Sequence, residues 1–142
     1  MNIYFACSIT GGREFEPVYQ ALVAAMLADG HEIPTAHLAA ASVREVELIS
    51  TPREVYSRDV AWIRAADVLV AEVSTPSHGV GYEIGFALGL GKPVLACHRF
   101  DREISKMVSG NPDANLVVRQ YADLEEATRI VRAFLDQQTH KL

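Results

Sequence analysis

The sequence predicts an α/β fold: a doubly wound, Rossmann-like five-stranded parallel sheet flanked by helices. Three observations predict it. Short apolar runs alternate with helical patterns along the whole chain. The run at 67–73, DVLVAEV, is almost continuously apolar, as a central parallel strand covered on both faces must be. Loops rich in glycine and hydroxyl residues follow the runs at the ends where such folds bind ligands.

The first strand is 2–7, NIYFAC, closed by Ser8, Thr10 and the pair Gly11-Gly12. A helix over 15–28 follows, with Val18, Leu22, Ala25, Met26 and Leu27 at three-to-four spacing and Gly30 placed as its C-terminal cap. Residues 31–35 read as a second short strand. The stretch 37–52 reads as a loop with partial helix, since its alanines and 43–49 suit helix and nothing in it signals a strand. Pro52 fits the first turn of a helix to about residue 66, carrying Val55, Val60, Trp62 and Ile63. After the central strand, 74–81 (STPSHGVG) reads as a loop and 82–90 as a helix ended by Gly91. A strand at 93–97, a polar segment over 98–111, a strand at 115–118 and an amphipathic helix over 124–135 complete the order.

At 142 residues, 49% hydrophobic and 22% charged, the chain reads as one soluble domain. No apolar run approaches the roughly 18 residues needed to span a bilayer, and the amino terminus lacks a signal-peptide pattern, so a cytoplasmic address without membrane contact is expected. The net charge of −5 argues against binding nucleic acid polymers, which takes many Lys and Arg. Cys7 and Cys97 have no CxxC or Cys/His company, so no metal site and no cofactor is expected, and both read as buried small hydrophobes.

Two loops concentrate the chemistry. In the first, Gly11 and Gly12 let backbone N–H groups approach a ligand while Arg13 offers a charged fork, which makes a phosphate cradle or simply a tight turn with an exposed Arg. The second holds Ser77, Gly79 and Gly81 and enters its helix at Tyr82-Glu83. A carboxylate in that first turn is kept ionised by the helix dipole, as a glycosidic nucleophile must be, or is only a favourable helix charge. Asp59 lies in the helix before the central strand, where it can serve as a proton donor to a leaving group or as a solvated partner of Arg58 and Arg64. Tyr4 can orient Glu83 or pack in the core; Trp62, Tyr19 and Tyr56 read as core aromatics of helices.

Taken together, Tyr4-Phe5, Ser8-Ile9, Gly11-Gly12-Arg13, Asp59 with Trp62, Ala66-Asp67-Val68, Ala71-Glu72-Val73, Pro76-Ser77 and Gly79-Val80-Gly81-Tyr82-Glu83 resemble the 2′-deoxynucleoside 5′-phosphate N-hydrolases of the nucleoside 2-deoxyribosyltransferase superfamily. The resemblance spans residues 1–110 in the same order. It implies hydrolysis of the N-glycosidic bond of a nucleoside 5′-monophosphate, with Glu83 as the nucleophile that forms a glycosyl-enzyme, Asp59 as the acid and Tyr4 as the hydroxyl that orients Glu83. Ser8, Gly11, Gly12, Arg13, Ser77 and Gly79 match phosphate-binding positions, and Ile9 and His37 match positions beside the base. Ser105 matches a serine reaching the neighbouring subunit's site, which implies a homodimer. Ser77 favours hydrolysis of phosphorylated substrates, because the transferases of the superfamily carry an acidic residue there, which would repel phosphate. Thr10 departs from the family, whose hydrolases commonly have Arg at that place. A deoxyribosyltransferase and a non-catalytic nucleotide-binding module are the alternatives.

Overall fold

A computed structural model describes residues 1–140 of the chain. A parallel sheet is built from β1 (Ile3–Ala6), β2 (Val68–Glu72), β3 (Val94–Arg99) and β4 (Leu116–Tyr121), lying side by side in that order. Among the described residues, six α-helices and one 3-10 turn connect and cover it: α1 (Glu16–Ala28), the turn Ala36–Ala39, α2 (Val43–Leu48), α3 (Pro52–Ala65), α4 (His78–Gly89), α5 (Lys106–Ser109) and α6 (Leu124–Thr139).

Among the described residues four strands form where five are expected, and the missing one is the second. At 31–35 the chain makes a single parallel bridge, Asn2 with Glu32, and then turns away at Pro34, which has no N–H to continue a ladder. The Thr35 hydroxyl substitutes for the absent strand by accepting the Phe5 N–H at 2.9 Å. Glu32 lies against the outer edge of β1, where the Ile3 N–H donates to its carbonyl, while the Asn2 carbonyl accepts from Asp67 on the opposite side. The chain therefore reverses its direction of travel across the sheet between β1 and β2.

Alternation along the strands divides the core between two faces. Ile3, Phe5, Cys7, Val68, Val70, Leu95 and Cys97 pack with α1 and with Val131, Phe134 and Leu135 of α6. Tyr4, Ala6, Leu69, Ala71, Val94 and Ala96 pack with Ile63 of α3 and with Val80, Ile84, Ala87 and Leu88 of α4. On this second face Ala6, Ala71 and Ala96 are in register, so a row of methyl groups crosses the sheet close to its carboxyl ends and lets the start of α4 approach the backbone. Both cysteines are buried and unpaired.

Local signals explain the helix ends. In α1 the buried residues are Val18, Tyr19, Leu22, Val23 and Met26; Leu27, expected inside, is 48% exposed. Gly30, at φ 84°, ends that helix as expected, with His31 and Gly30 N–H groups returning to the Met26 and Leu27 carbonyls. Thr51 and Glu54 form a reciprocal capping box at the start of α3, just before Pro52. At the carboxyl end of β2 the buried Glu72 carboxyl accepts the Tyr121 hydroxyl at 2.9 Å and the Ser74 hydroxyl, while Ser74 Oγ accepts the Arg99 N–H at 2.8 Å. Burial pushes the Glu72 carboxyl upward, and the network ties the ends of three strands beneath the second loop. Among the described residues, no helix is long and apolar enough to cross a membrane.

Candidate active site

The two loops singled out in the sequence meet at the carboxyl ends of β1 and β2. Gly11 sits so close to the second loop that a Cβ there would lie 2.3 Å from the Pro76 carbonyl oxygen and 3.0 Å from Ser8 Oγ. Only glycine permits that approach. Ser8 is fully buried beside it, and its hydroxyl has no partner among the described residues. Arg13 is differently employed than its sequence position suggests. Its guanidinium donates to the carbonyls of Ser8 (3.0 Å), Leu38 (2.8 Å) and Ala40 (3.0 Å) and to Glu16 (3.0 Å), and it lies over the Tyr19 ring. The side chain ties the glycine loop to the 3-10 turn. Burial pushes the neighbouring Cys7 thiol up to about 12, leaving it unreactive.

The second loop is shorter than its sequence implies. α4 begins at His78, with Ser77 as N-cap, its Oγ accepting the Val80 N–H at 3.3 Å. Glu83 therefore stands in the second turn, beyond the free N–H groups of the helix start, and the expected stabilisation by the helix dipole does not reach it. Its environment acts in the opposite sense. Burial chiefly, and then the charge of Asp59, push the Glu83 carboxyl from 4.5 up to about 7; the Tyr4 hydrogen bond and Arg58 oppose the rise. The Tyr4 hydroxyl donates to Glu83 Oε1 at 2.8 Å, across from β1 to α4. Tyr4 itself is fully buried, so both readings of it, core aromatic and orienting hydroxyl, apply to one side chain.

Asp59 comes to the same place from α3. A cavity of about 420 Å³ is lined by Asp59 and Glu83 together with Glu47, Tyr56, Gly79 and Tyr82, and by the apolar side chains Val55, Val60 and Ile63. This explains why only Ile63 of the α3 apolar positions is fully buried: Val55 and Val60 wall a cavity instead of filling a core. Burial raises the Asp59 carboxyl above its ordinary range, against the pull of Arg58, whose Nε donates to Asp59 Oδ1 at 2.9 Å. The same guanidinium donates through Nη2 to Glu47 Oε1 at 3.0 Å and lies 4.9 Å from the Trp62 ring centre. His37 Nε2 is 3.3 Å from Glu47 Oε1, and its ring meets Trp62 edge-on.

Other expected residues lie around this centre at different removes. Gly79 lines the cavity. Ser77 faces a second cavity of about 440 Å³ on the far side of the α4 start, with Thr75, Pro76, Ile84 and the exposed Ser105 of the same chain. Ser105 caps α5, its Oγ accepting the Met107 N–H at 3.2 Å. Ile9 is half-buried against the α1 face of the core, not on the cavity wall. Tyr56, expected in a helix core, is 54% exposed: it lines the cavity and its hydroxyl is 3.3 Å from that of Tyr82. Glu47 was not singled out in the sequence at all, because it falls in a segment with no motif and reaches the site only through the packing of α2. Among the described residues, no group of three His, Cys, Asp or Glu side chains is arranged to hold a metal ion.

Comparison with known proteins shows the family and the fold. A family model described as nucleoside 2-deoxyribosyltransferase matches residues 3–130. A mouse protein named 5-hydroxymethyl-dUMP N-hydrolase is 41% identical over 138 residues, covering 94% of this chain and 79% of its own length. The human protein of the same name is 38% identical over 138 residues, covering 94% and 76%. Among solved structures, a CMP N-glycosidase from Clostridium botulinum superposes with a TM-score of 0.71 at 17% identity, covering 93% of this chain and 98% of its own, which shows a shared fold.

Proposed function

The chain belongs to the nucleoside 2-deoxyribosyltransferase family, and from that premise we propose that it hydrolyses the N-glycosidic bond of (2′-deoxy)nucleoside 5′-monophosphates, releasing free base and a (deoxy)ribose 5-phosphate. The observation that carries the proposal is the Tyr4 hydroxyl bound to Glu83 Oε1 at the wall of a cavity that Asp59 also lines. Tyr4 occupies one carboxylate oxygen and leaves Oε2 to react.

In the proposed reaction Glu83 Oε2 forms a bond to C1′ as the C1′–N bond breaks, and Asp59 gives its proton to the base that takes the bonding electrons. Asp59, now a carboxylate, then takes a proton from water, whose oxygen bonds to C1′ and displaces Glu83. Two attacks on C1′ give net retention. Burial raises both carboxyls; the proposed reaction requires the form with the proton on Asp59 and with Glu83 ionised. In this reading the Gly11-Gly12 backbone, Ser77 and Gly79 receive the 5′-phosphate, with Ser8 buried beneath the loop and Arg13 behind it; His37 stands on the base side beside Glu47, and Ile9 supports the loop from the core without touching the cavity wall. In the same reading Ser105 completes the site of a neighbouring subunit in a homodimer, acting from the protein's cytoplasmic setting.

Incubation with a panel of ribo- and deoxyribonucleoside monophosphates, with chromatographic detection of free base, tests the proposal. Release of base from at least one nucleotide, and none from the Glu83→Ala variant, is expected; no release from any nucleotide refutes it. An added acceptor base separates hydrolysis from the base exchange for which the family is named, since exchange independent of the 5′-phosphate would identify a transferase. Tight binding without base release would identify a nucleotide-binding module.

A further inference from the structure

We infer that Glu47 is a positioning residue for base departure: by sharing the Arg58 guanidinium it leaves Asp59 as the carboxyl that holds a proton, a role that rests on the N-glycosidase reading above. The chain of contacts is continuous. Arg58 stands between two carboxyls, donating through Nε to Asp59 Oδ1 at 2.9 Å and through Nη2 to Glu47 Oε1 at 3.0 Å. His37 Nε2 lies 3.3 Å from the same Glu47 oxygen. Trp62 backs the group, with the Arg58 guanidinium 4.9 Å from its ring centre and the His37 ring edge-on to it. The Glu47 and Asp59 side chains are only 14% and 15% exposed, so solvent screens their charges weakly.

Charge and donor count decide where a proton goes. Two carboxylates around one guanidinium leave one negative charge in excess, and one proton brings the group to neutrality where water is scarce. Glu47 is served by Arg58 and His37, while Asp59, among the described residues, is served by Arg58 alone. The carboxylate with two donors keeps its charge, and Asp59 takes the proton. Because Arg58 Nε–H can only donate, Asp59 Oδ1 stays the acceptor and the proton sits on Oδ2. Glu83 faces Asp59 from α4 and Tyr4, bound to Glu83, from β1; both sense the Asp59 charge. Burial foremost raises the Asp59 carboxyl, Arg58 pulls it down, Glu47 lifts it, and His37 opposes Glu47. Without the Glu47 charge, Arg58 would act on Asp59 undivided, and the proton meant for the base would leave at lower pH.

Glu47→Gln keeps an oxygen for Arg58 and removes the charge. The carbon-13 resonance of the Asp59 carboxyl, identified by its loss in Asp59→Asn, follows that group's titration without substrate. In Glu47→Gln its midpoint should move to lower pH by about half to one pH unit. Arg58→Gln should move it the other way, and in that background Glu47→Gln should have less than half of its effect. Activity should follow the titration: the ratio of wild-type to Glu47→Gln kcat/KM should be about threefold or more larger at pH 8 than at pH 5, as such a midpoint change requires once Asp59 is mostly ionised. An unmoved midpoint in Glu47→Gln, a loss of kcat/KM equal at every pH, or an undiminished effect in the Arg58→Gln background overturns the inference alone. Release of base from no nucleotide overturns the N-glycosidase reading, and the role of Glu47 in base departure with it.

Discussion

Glu83→Gln keeps the size of the side chain and an oxygen for the Tyr4 hydroxyl, and removes only the charge. In the folded protein, burial foremost holds the Glu83 carboxyl at about 7, against 4.5 for an ordinary glutamate. Between those two pH values the folded state keeps a proton that the unfolded chain has released. The folded state binding more protons means that stability falls as pH rises through this window and levels off above it. At about 1.4 kcal/mol for each tenfold ratio, raising the pH from 5 to 8 removes at most about 2 to 3 kcal/mol through this one group. Water reaching the half-buried carboxylate reduces that to about 1 to 2 kcal/mol. Glutamine does not titrate, so the variant escapes the loss and should be the more stable protein at pH 8, by a melting-temperature difference of roughly 3 to 8 °C. Urea unfolding of both proteins at pH 5, 6, 7 and 8, followed by circular dichroism, measures the difference, since titrations away from the Glu83–Asp59 pair are common to the two. Curves that stay parallel across the range, or a variant less stable than wild type at pH 8, would refute the claim that this carboxyl is held protonated by its surroundings. Lost turnover in the same variant completes the expectation: a functional group placed at a cost to stability.

Three further variants probe the rest of the site. Tyr4→Phe removes a bond that lowers Glu83, so the acid limb of the kcat/KM profile should move to higher pH with roughly tenfold lower turnover at pH 7; an unmoved limb would contradict the orienting role. Gly11→Ala drives a methyl group against the Pro76 carbonyl, and should cost about 1 to 3 kcal/mol in stability and raise KM for the nucleotide; urea titration and steady-state kinetics would show neither effect if the loops do not meet there. Ser77→Asp keeps a competent helix cap, so stability should stay within about 0.5 kcal/mol, while KM for a phosphorylated substrate rises about tenfold or more through charge repulsion. Equal KM values for variant and wild type would remove Ser77 from the phosphate site.

Much of the architecture was legible because its signals are local. The continuous apolar run at 67–73 could only be a doubly covered strand, and Gly30 and Pro52 marked their helix ends by backbone geometry that neighbours do not alter. The second strand was misread because Ile33 is buried like a strand residue, whereas a neighbouring side chain, Thr35, supplies the hydrogen bond that a strand would otherwise make. The start of α4 was misplaced by four residues, since its two glycines look like loop until Ser77 is seen to cap the helix. Tyr56 looked like a core residue because periodicity marks an apolar face without saying whether that face meets protein or a cavity.

The sequence by itself determined the alternation of strands and helices and the two loops at the strand ends, since residue type and short-range spacing carry that information; these left Tyr4, Asp59 and Glu83 open to bland readings, and the family resemblance made them the groups to examine. Only the tertiary structure decided that these three converge, that Arg13 is bound to carbonyls, and that Glu47 joins the cavity wall with Arg58 bridging it to Asp59. It also reversed the electrostatic argument for Glu83. Spacing along a helix suggested a carboxylate kept charged by a dipole, but the protonation of a group depends on water excluded and charges gathered from β1, α3 and α4 at once, and segments distant in sequence set those quantities only when the chain has folded.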